Sequence, residues 1–504
     1  MKKIASNITA NFFGKVYIAL LAIVMVPIYI HYLGIESYGL VGFYTTLISA
    51  FTILDFGLST TLNREIAKAN ASNSNPEQLR NLVFTMECIY WIIGILICLG
   101  IIALSGFITS NWLNAENINS GTIQTSILLM GLVIAFQWPV SLYHGGLMGM
   151  EKQVLFNIIT VIMMTLRSAG VVLILIFVSA TIEAFFIWQV VINFLYVLWM
   201  RYAVWKHLTV ERPKKLFSIA ALKKIWRFAA GLTSTGIVTF FLTQADKVLL
   251  SKILPLQEFA YYMLAYTVSS SLTNFTSPIT IAVFPKFSAL VASHQTEALK
   301  NIYHQSCRLI ATIILPISLT LIFFTPEILM VWLKNKETVL HTTNLVRLLV
   351  IGTLFNTLIM MPYMLTLAFG WTRFGFYQNL IASILLIPLL FWWVHLYGVI
   401  GATFVWLAIN VGAIIISVPI IHKKVLPGQL KRWYLNDNLI PFLFSGSICL
   451  ATYLIYKTWF YNFEFNYFSL VILFGFSCII SFLQFPNLTK NIKNILIKNY
   501  ANSN

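Results

Sequence analysis

Apolar runs of nearly constant length, separated by short polar stretches, account for almost the whole chain. A helix needs about 20 mostly apolar residues to cross a bilayer. Fourteen such runs occur, centred near residues 20, 48, 94, 134, 166, 192, 239, 270, 318, 357, 388, 410, 447 and 475. Little is left between them for a soluble domain, so the pattern predicts an all-α polytopic membrane protein. Met1-Lys2-Lys3 before an apolar run resembles a secretory leader. The run continues through Ile18 to Tyr32 with no small-x-small cleavage site, so it reads as a retained first helix.

Composition agrees and adds an orientation. Of 504 residues, 59% are apolar and 10% charged, against about 25% charged in a soluble domain. Cytoplasmic loops carry an excess of Lys and Arg. With the N-terminus inside, 25 of the 33 Lys and Arg fall on inner segments, so both termini are expected in the cytoplasm. The net charge of +17 is mostly this bias and points to no nucleic acid. The five cysteines (Cys88, Cys98, Cys307, Cys449 and Cys478) all lie in apolar runs, suggesting neither a disulfide framework nor a thiolate metal site.

Leu33–Ala67 aligns with Leu254–Ser288 at a shift of 221 residues. Leu33, Thr46, Ser49 and Thr52 match Leu254, Thr267, Ser270 and Thr273. The shift moves the second span onto the eighth. An even step preserves orientation, which predicts two parallel six-helix repeats. The expected organisation is an N-terminal six-helix lobe (1–204), a cytoplasmic basic linker (205–225), a second six-helix lobe (226–422), and two further helices with a tail (423–504).

Catalytic motifs are absent. There is no G-x-x-x-x-G-K-[ST], H-E-x-x-H, G-x-S-x-G or C-x-x-C, and no outer segment is long enough for a transferase domain. Neither an enzyme nor a cofactor or metal is expected. The informative residues are polar groups inside the spans, where an ionised side chain costs about 2.5–3.5 kcal/mol on insertion scales. Arg167 lies about thirteen residues into the fifth span, roughly 20 Å from the inner surface at 1.5 Å per residue. At that depth it either faces a watery cavity or makes an interhelical ion pair. It shares a polar stripe with Asn157 and Thr160. Lys3, Asn7, Asn11 and Lys15 form another on the first span, with Lys15 placed to line a cavity or to reach the inner headgroups. Thr45, Ser49, Thr52 and Ser59, with Asp55 beside them, mark the second span. Tyr262, Tyr266, Ser269, Thr273, Ser277 and Thr280 mark the eighth. Asp246 and Lys247 lie about 100° apart toward the outer end of the seventh, where they need not pair and where headgroup anchoring is the plainer reading. Glu87 is placed near the inner surface and is equally open to both readings.

Y-L-G-I-E-S-Y-G-L (Tyr32–Leu40), L-D-F-G-L (Leu54–Leu58) and N-R-E-I-A (Asn63–Ala67) resemble the N-terminal signature of polysaccharide-biosynthesis flippases, the Wzx-type branch of the superfamily that also holds multidrug exporters and the lipid II flippase. Q-A-D-K-V-L-L (Gln244–Leu250) and Leu254–Tyr262 resemble the start of the second lobe in that family. The resemblance implies a V-shaped transporter in the bacterial cytoplasmic membrane. Its substrate would be undecaprenyl-pyrophosphate-linked oligosaccharide, such as an O-antigen unit of lipopolysaccharide, moved between leaflets in contact with membrane lipids. The polymerase and chain-length regulator of the same pathway are its expected partners. Arg167, helped by Lys15, would hold the pyrophosphate, with Asn11, Asn157, Lys247, Tyr266 and Thr273 completing the substrate-binding set. Asp55, Glu87 and Asp246 are the expected ion-coupling residues. A cation-coupled multidrug exporter of the same superfamily and a membrane polysaccharide polymerase are the alternatives.

Overall fold

The computed structural model describes residues 2–52, 55, 57–72, 76–208, 217–218 and 240–459, with side chains from residue 14 onward except 70–76 and 459. The span expected near 475, the first part of that near 239 and most of the basic linker (209–216 and 219–225) lie outside the described residues.

The described chain divides into two compact units, Met1–Ala260 and Tyr261–Asn504. The first holds α1 (Lys2–Leu33), α2 (Ile35–Thr52), α3 (Leu58–Ser72), α4 (Pro76–Asn111), α5 (Ser120–Gly149), α6 (Gln153–Phe177), α7 (Ile182–His207) and α8, described over 240–253. Next come α9 (Leu256–Ser271), which begins in the first unit, and α10 (Thr273–Ala292), α11 (Thr296–Phe323), α12 (Thr325–Leu333), α13 (Lys336–Ala368) and α14 (Thr372–Tyr397). The described chain ends with α15 (Val399–Val425) and α16 (Leu430–Thr458). These two carry π turns at Ala413–Ser417 and Trp433–Leu439. No strand forms among the described residues; Asn114 and Pro255 make an isolated bridge.

Eleven stretches among the described residues are long and apolar enough to cross a membrane, each at an expected span. The expected second span, near residue 48, is interrupted: α2 ends at Thr52 and α3 begins at Leu58. The cause lies in the L-D-F-G-L run. Gly57 takes a φ of 65°, a left-handed conformation that side-chain-bearing residues rarely adopt. Its carbonyl then starts the new helix, accepting from Thr61 N at 2.9 Å and Thr61 Oγ1 at 2.7 Å. The aligned segment shifted by 221 residues starts alike but breaks earlier, at the counterpart of Phe51. α9 begins at Leu256, the counterpart of Ile35, and the helix breaks between Ser271 and Thr273.

Packing follows the solvent that a membrane protein meets. Ile92, Ile95, Leu96, Leu99 and Ile102 are exposed along one stripe of α4 at helical spacing, a face that only lipid would cover without cost. In the first unit, α5 is the central helix, packed against α3, α4 and α7. It comes very close to α3 because Gly145 and Gly149 form a small-x-x-x-small face. A Cβ at Gly145 would lie 2.2 Å from Ser59 O, and one at Gly149 would lie 2.7 Å from Asn63 O. In the second unit α11 and α13 are the most buried spans and pack against each other.

Candidate functional site

A cavity of about 400 Å³ opens within the first unit, bounded by the end of α2, the α2–α3 break, α5, α6 and α7. Its wall is mostly apolar (Ile48, Phe51, Ile134, Trp138, Phe156, Met164), and the polar groups on it are Thr52, Asp55, Gln137, Ser141, His144 and Tyr196. The break places Asp55 there. Its Oδ1 accepts from Tyr90 Oη at 2.5 Å and from Ser141 Oγ at 3.0 Å. The Tyr90 ring is held by stacking on Trp138, with centroids 5.9 Å apart. His144 packs on Phe156 at 4.2 Å and lies within electrostatic reach of both Asp55 and Lys15.

Arg167 is half-buried on α6 and is not among the residues that line this cavity. Its charge is felt by the hydroxyls of Tyr29, Tyr44 and Tyr196, from α1, α2 and α7. Those hydroxyls are positioned by neighbours. Tyr29 donates to Ser168 O at 3.0 Å, Tyr44 donates to Gln137 Oε1 at 3.1 Å, and Tyr196 shares a hydrogen bond with Thr160 at 3.0 Å. Among the described residues no carboxylate pairs with the Arg167 guanidinium. A half-buried cation is suited to an anion, since a guanidinium binds phosphate oxygens in a bidentate fork; the Tyr29 and Tyr44 hydroxyl protons are already given to Ser168 O and Gln137 Oε1.

The remaining sequence-predicted residues are scattered more widely. Among the described residues, Asp55 alone of the expected set lines the cavity. Lys15 is exposed on α1. Asn11 lies in the part of α1 whose side chains are outside the described residues. Asn157 is buried, donating to Gln153 O at 2.8 Å, and packs where Gly14 leaves room for its amide. Tyr266 and Thr273 belong to the second unit, where Thr273 Oγ1 donates to Ser270 O at 2.7 Å.

Three charged residues are committed to partners. Glu87, buried on α4, accepts from Tyr143 Oη at 2.6 Å, Arg201 Nε at 2.5 Å and Trp205 Nε1 at 3.0 Å. Its donors come from α5 and α7, and Arg201 lies inside α7 rather than in an inner loop. Asp246 and Lys247 do pair. The long lysine chain folds back so that Nζ meets both carboxylate oxygens at 3.2 Å and donates to Thr243 O at 2.8 Å. His144 and Gln137, which complete the cavity's polar wall, carry no sequence signal beyond being polar residues in an apolar helix.

A family model described as polysaccharide biosynthesis protein matches residues 4–291, and a second, MatE, matches residues 233–392. The chain is 24% identical over 405 residues to a putative O-antigen transporter of Shigella flexneri, covering 80% of this chain and 94% of that protein. It is 24% identical over 421 residues to the lipopolysaccharide biosynthesis protein WzxC of Escherichia coli K12, covering 80% and 77%. Among solved structures, the lipid II flippase MurJ in an inward closed conformation matches with a TM-score of 0.72 at 17% identity, covering 95% of this chain and 99% of that one. An inward-facing multidrug resistance transporter of the MATE family matches at 0.61 and 15%, covering 88% and 96%.

Proposed function

Because this chain belongs to the polysaccharide biosynthesis protein family, we propose that it is a flippase for undecaprenyl-pyrophosphate-linked oligosaccharide repeat units. It moves them from the inner to the outer leaflet of the bacterial cytoplasmic membrane by alternating access, with no chemical step. The reading is supported by the family match together with the names of the two relatives, an O-antigen transporter and a lipopolysaccharide biosynthesis protein. Both termini lie in the cytoplasm, following the distribution of Lys and Arg. The polymerase and chain-length regulator of the glycan pathway receive its product.

The observation that carries the mechanism is Arg167, a half-buried cation without a carboxylate partner among the described residues. A sugar headgroup with a pyrophosphate loses water on entering the membrane, and each polar group costs several kcal/mol unless it finds a new partner. Arg167 supplies the charge-assisted bonds, with Tyr29, Tyr44 and Tyr196 around it, and Lys15 receives the headgroup at the inner side. Asn11, Asn157, Lys247, Tyr266 and Thr273 remain candidate contacts for the sugars. The lipid tail stays in the bilayer. Asp55 is the ion-coupling residue of choice, since it faces the cavity beside His144.

A multidrug exporter is the second reading, favoured by the MatE match over residues 233–392 and by the acidic group in the cavity. Two assays separate them. Flipping of undecaprenyl-pyrophosphate oligosaccharide in proteoliposomes, without raised drug resistance in expressing cells, supports the flippase. Drug resistance without flipping under any ion gradient replaces it with the exporter.

A further inference from the structure

A second polar cluster lies in the second unit and is built from none of the residues used above. Asp437 is fully buried on the π turn of α16, and two basic side chains of α11 meet it. Arg308 Nε donates to Oδ1 at 2.8 Å, and His304 Nδ1 donates to Oδ2. The other ring nitrogen of His304, itself 1% exposed, faces Gln429 Oε1 at 3.0 Å. Gln429 ends the short turn joining α15 to α16. The remaining titratable groups around the ring are Tyr303 and Cys307 on α11 and His422 on α15. His422 donates from Nδ1 to Val418 O at 2.9 Å and accepts at Nε2 from Tyr303 Oη at 2.9 Å. Both of its ring nitrogens therefore have partners.

We propose that His304 is a proton-binding residue, and that the proton it exchanges sets the pH dependence of transport. Two features separate this cluster from a static ion pair. First, a buried carboxylate must keep a cation, and Arg308 does so for Asp437 whether or not His304 is charged. The histidine proton is therefore optional. Second, both states are fully hydrogen-bonded. A doubly protonated ring donates to Asp437 and to the Gln429 carbonyl oxygen. A neutral ring keeps its Nδ1–H on Asp437 and accepts from the Gln429 amide N–H₂ after the amide turns over. The His304 ring and the Asp437 carboxylate keep hydrogen-bond partners in either form.

The turn-over acts on a movable part of the fold. Gln429 follows Gly428, whose φ is 80°, and both flanking helices contain π turns, which recur at functional sites in helices. The two π turns are linked directly, Tyr434 Oη donating to Ile414 O at 2.6 Å. A change at Gln429 thus meets the start of α16 and, through Tyr434, the π turn of α15. That the proton serves transport rests on the flippase reading; that it binds does not.

The test uses the full-length protein in lipid nanodiscs with ¹⁵N-labelled histidine. Eight histidines give eight ring signals. One is expected to show both nitrogens protonated at the acidic end of a pH series and to convert to the singly protonated form as pH rises. It should be missing in His304→Gln and already singly protonated in Asp437→Asn at the same pH. Gln429→Leu leaves the Arg308–Asp437 pair intact, which guards against misfolding, and should also lose the doubly protonated form. In proteoliposomes, His304→Gln should flip substrate with its pH dependence lost. A ring that never titrates, a signal indifferent to Gln429→Leu, or an unchanged pH profile in His304→Gln would each overturn the proposal. Absence of flipping by the wild type at any pH would instead count against the flippase reading, leaving the ¹⁵N signals to judge the site.

Discussion

Replacing Gly145 by alanine places a methyl group 2.2 Å from Ser59 O and 2.9 Å from both Ser59 C and Ser59 Oγ. Two of those atoms are backbone, so no rotamer change relieves the clash, and α3 must retreat from α5 by about 1 Å to restore ordinary contact. Overpacking of this kind costs about 1–3 kcal/mol, and a clash with backbone belongs at the upper end. For a unit of this size that corresponds to a melting temperature lower by roughly 5–10 °C. The neighbouring Gly146 is the internal control. A Cβ there meets only Val204 and Leu62 side chains at 3.4–3.8 Å, so Gly146→Ala should melt with the wild type or slightly above it. The assay is the loss of the monodisperse size-exclusion peak on heating the detergent-solubilised variants. Because Ser141, one turn before Gly145, holds Asp55 at 3.0 Å, Gly145→Ala should also impair flipping at permissive temperature. Equal melting of the two variants would refute the idea that the α3–α5 approach positions the cavity.

Arg201→Ala removes the cation from buried Glu87 but leaves Tyr143 and Trp205 donating to it. Since the Arg201 side chain is 44% exposed, the loss should be about 1–2 kcal/mol rather than the full cost of breaking a buried pair, read as a lower melting temperature. Glu87→Gln should keep its ion-gradient response in flipping; loss of that response would restore Glu87 as a coupling residue. Burial pushes the Glu327 carboxyl above its ordinary value, against the opposing pull of Arg347, and Glu327 Oε2 has no hydrogen-bond partner among the described residues. The fold therefore carries a penalty once Glu327 ionises, absent at acidic pH where it holds its proton. Glu327→Gln should raise the melting temperature at pH 8 more than at pH 5, and the opposite order would show that the Arg347 attraction dominates.

What was readable in the sequence follows from how local each signal is. The eleven spans could be counted because a run of apolar residues is a local property. The α2–α3 break was not foreseen, since Asp55 and Gly57 lie in an otherwise continuous apolar run. The same L-D-F-G-L run nevertheless carried the family resemblance, and the structure gives its Asp55 and Gly57 a physical role, at a helix break that presents a carboxylate. Glu87 and Asp55 look alike in sequence, both being acids in apolar helices. They are told apart by Arg201, 114 residues from Glu87, and by the cavity beside Asp55. His304 and Asp437 are separated by 133 residues, and nothing in either neighbourhood pairs them. Asp246 and Lys247 pair although neighbours on a helix lie about 100° apart, because a long side chain can reach back to the preceding carboxylate.

In the proposed mechanism Arg167 receives the pyrophosphate of a lipid-linked oligosaccharide during translocation. The most direct measurement loads that lipid into both leaflets of proteoliposomes and adds an impermeant sugar-modifying enzyme outside. Modification should run past half of the lipid with the wild type and stall near half with Arg167→Ala, at equal insertion. A wild type that also stalls near half, or an Arg167→Ala variant that runs to completion, would contradict the account.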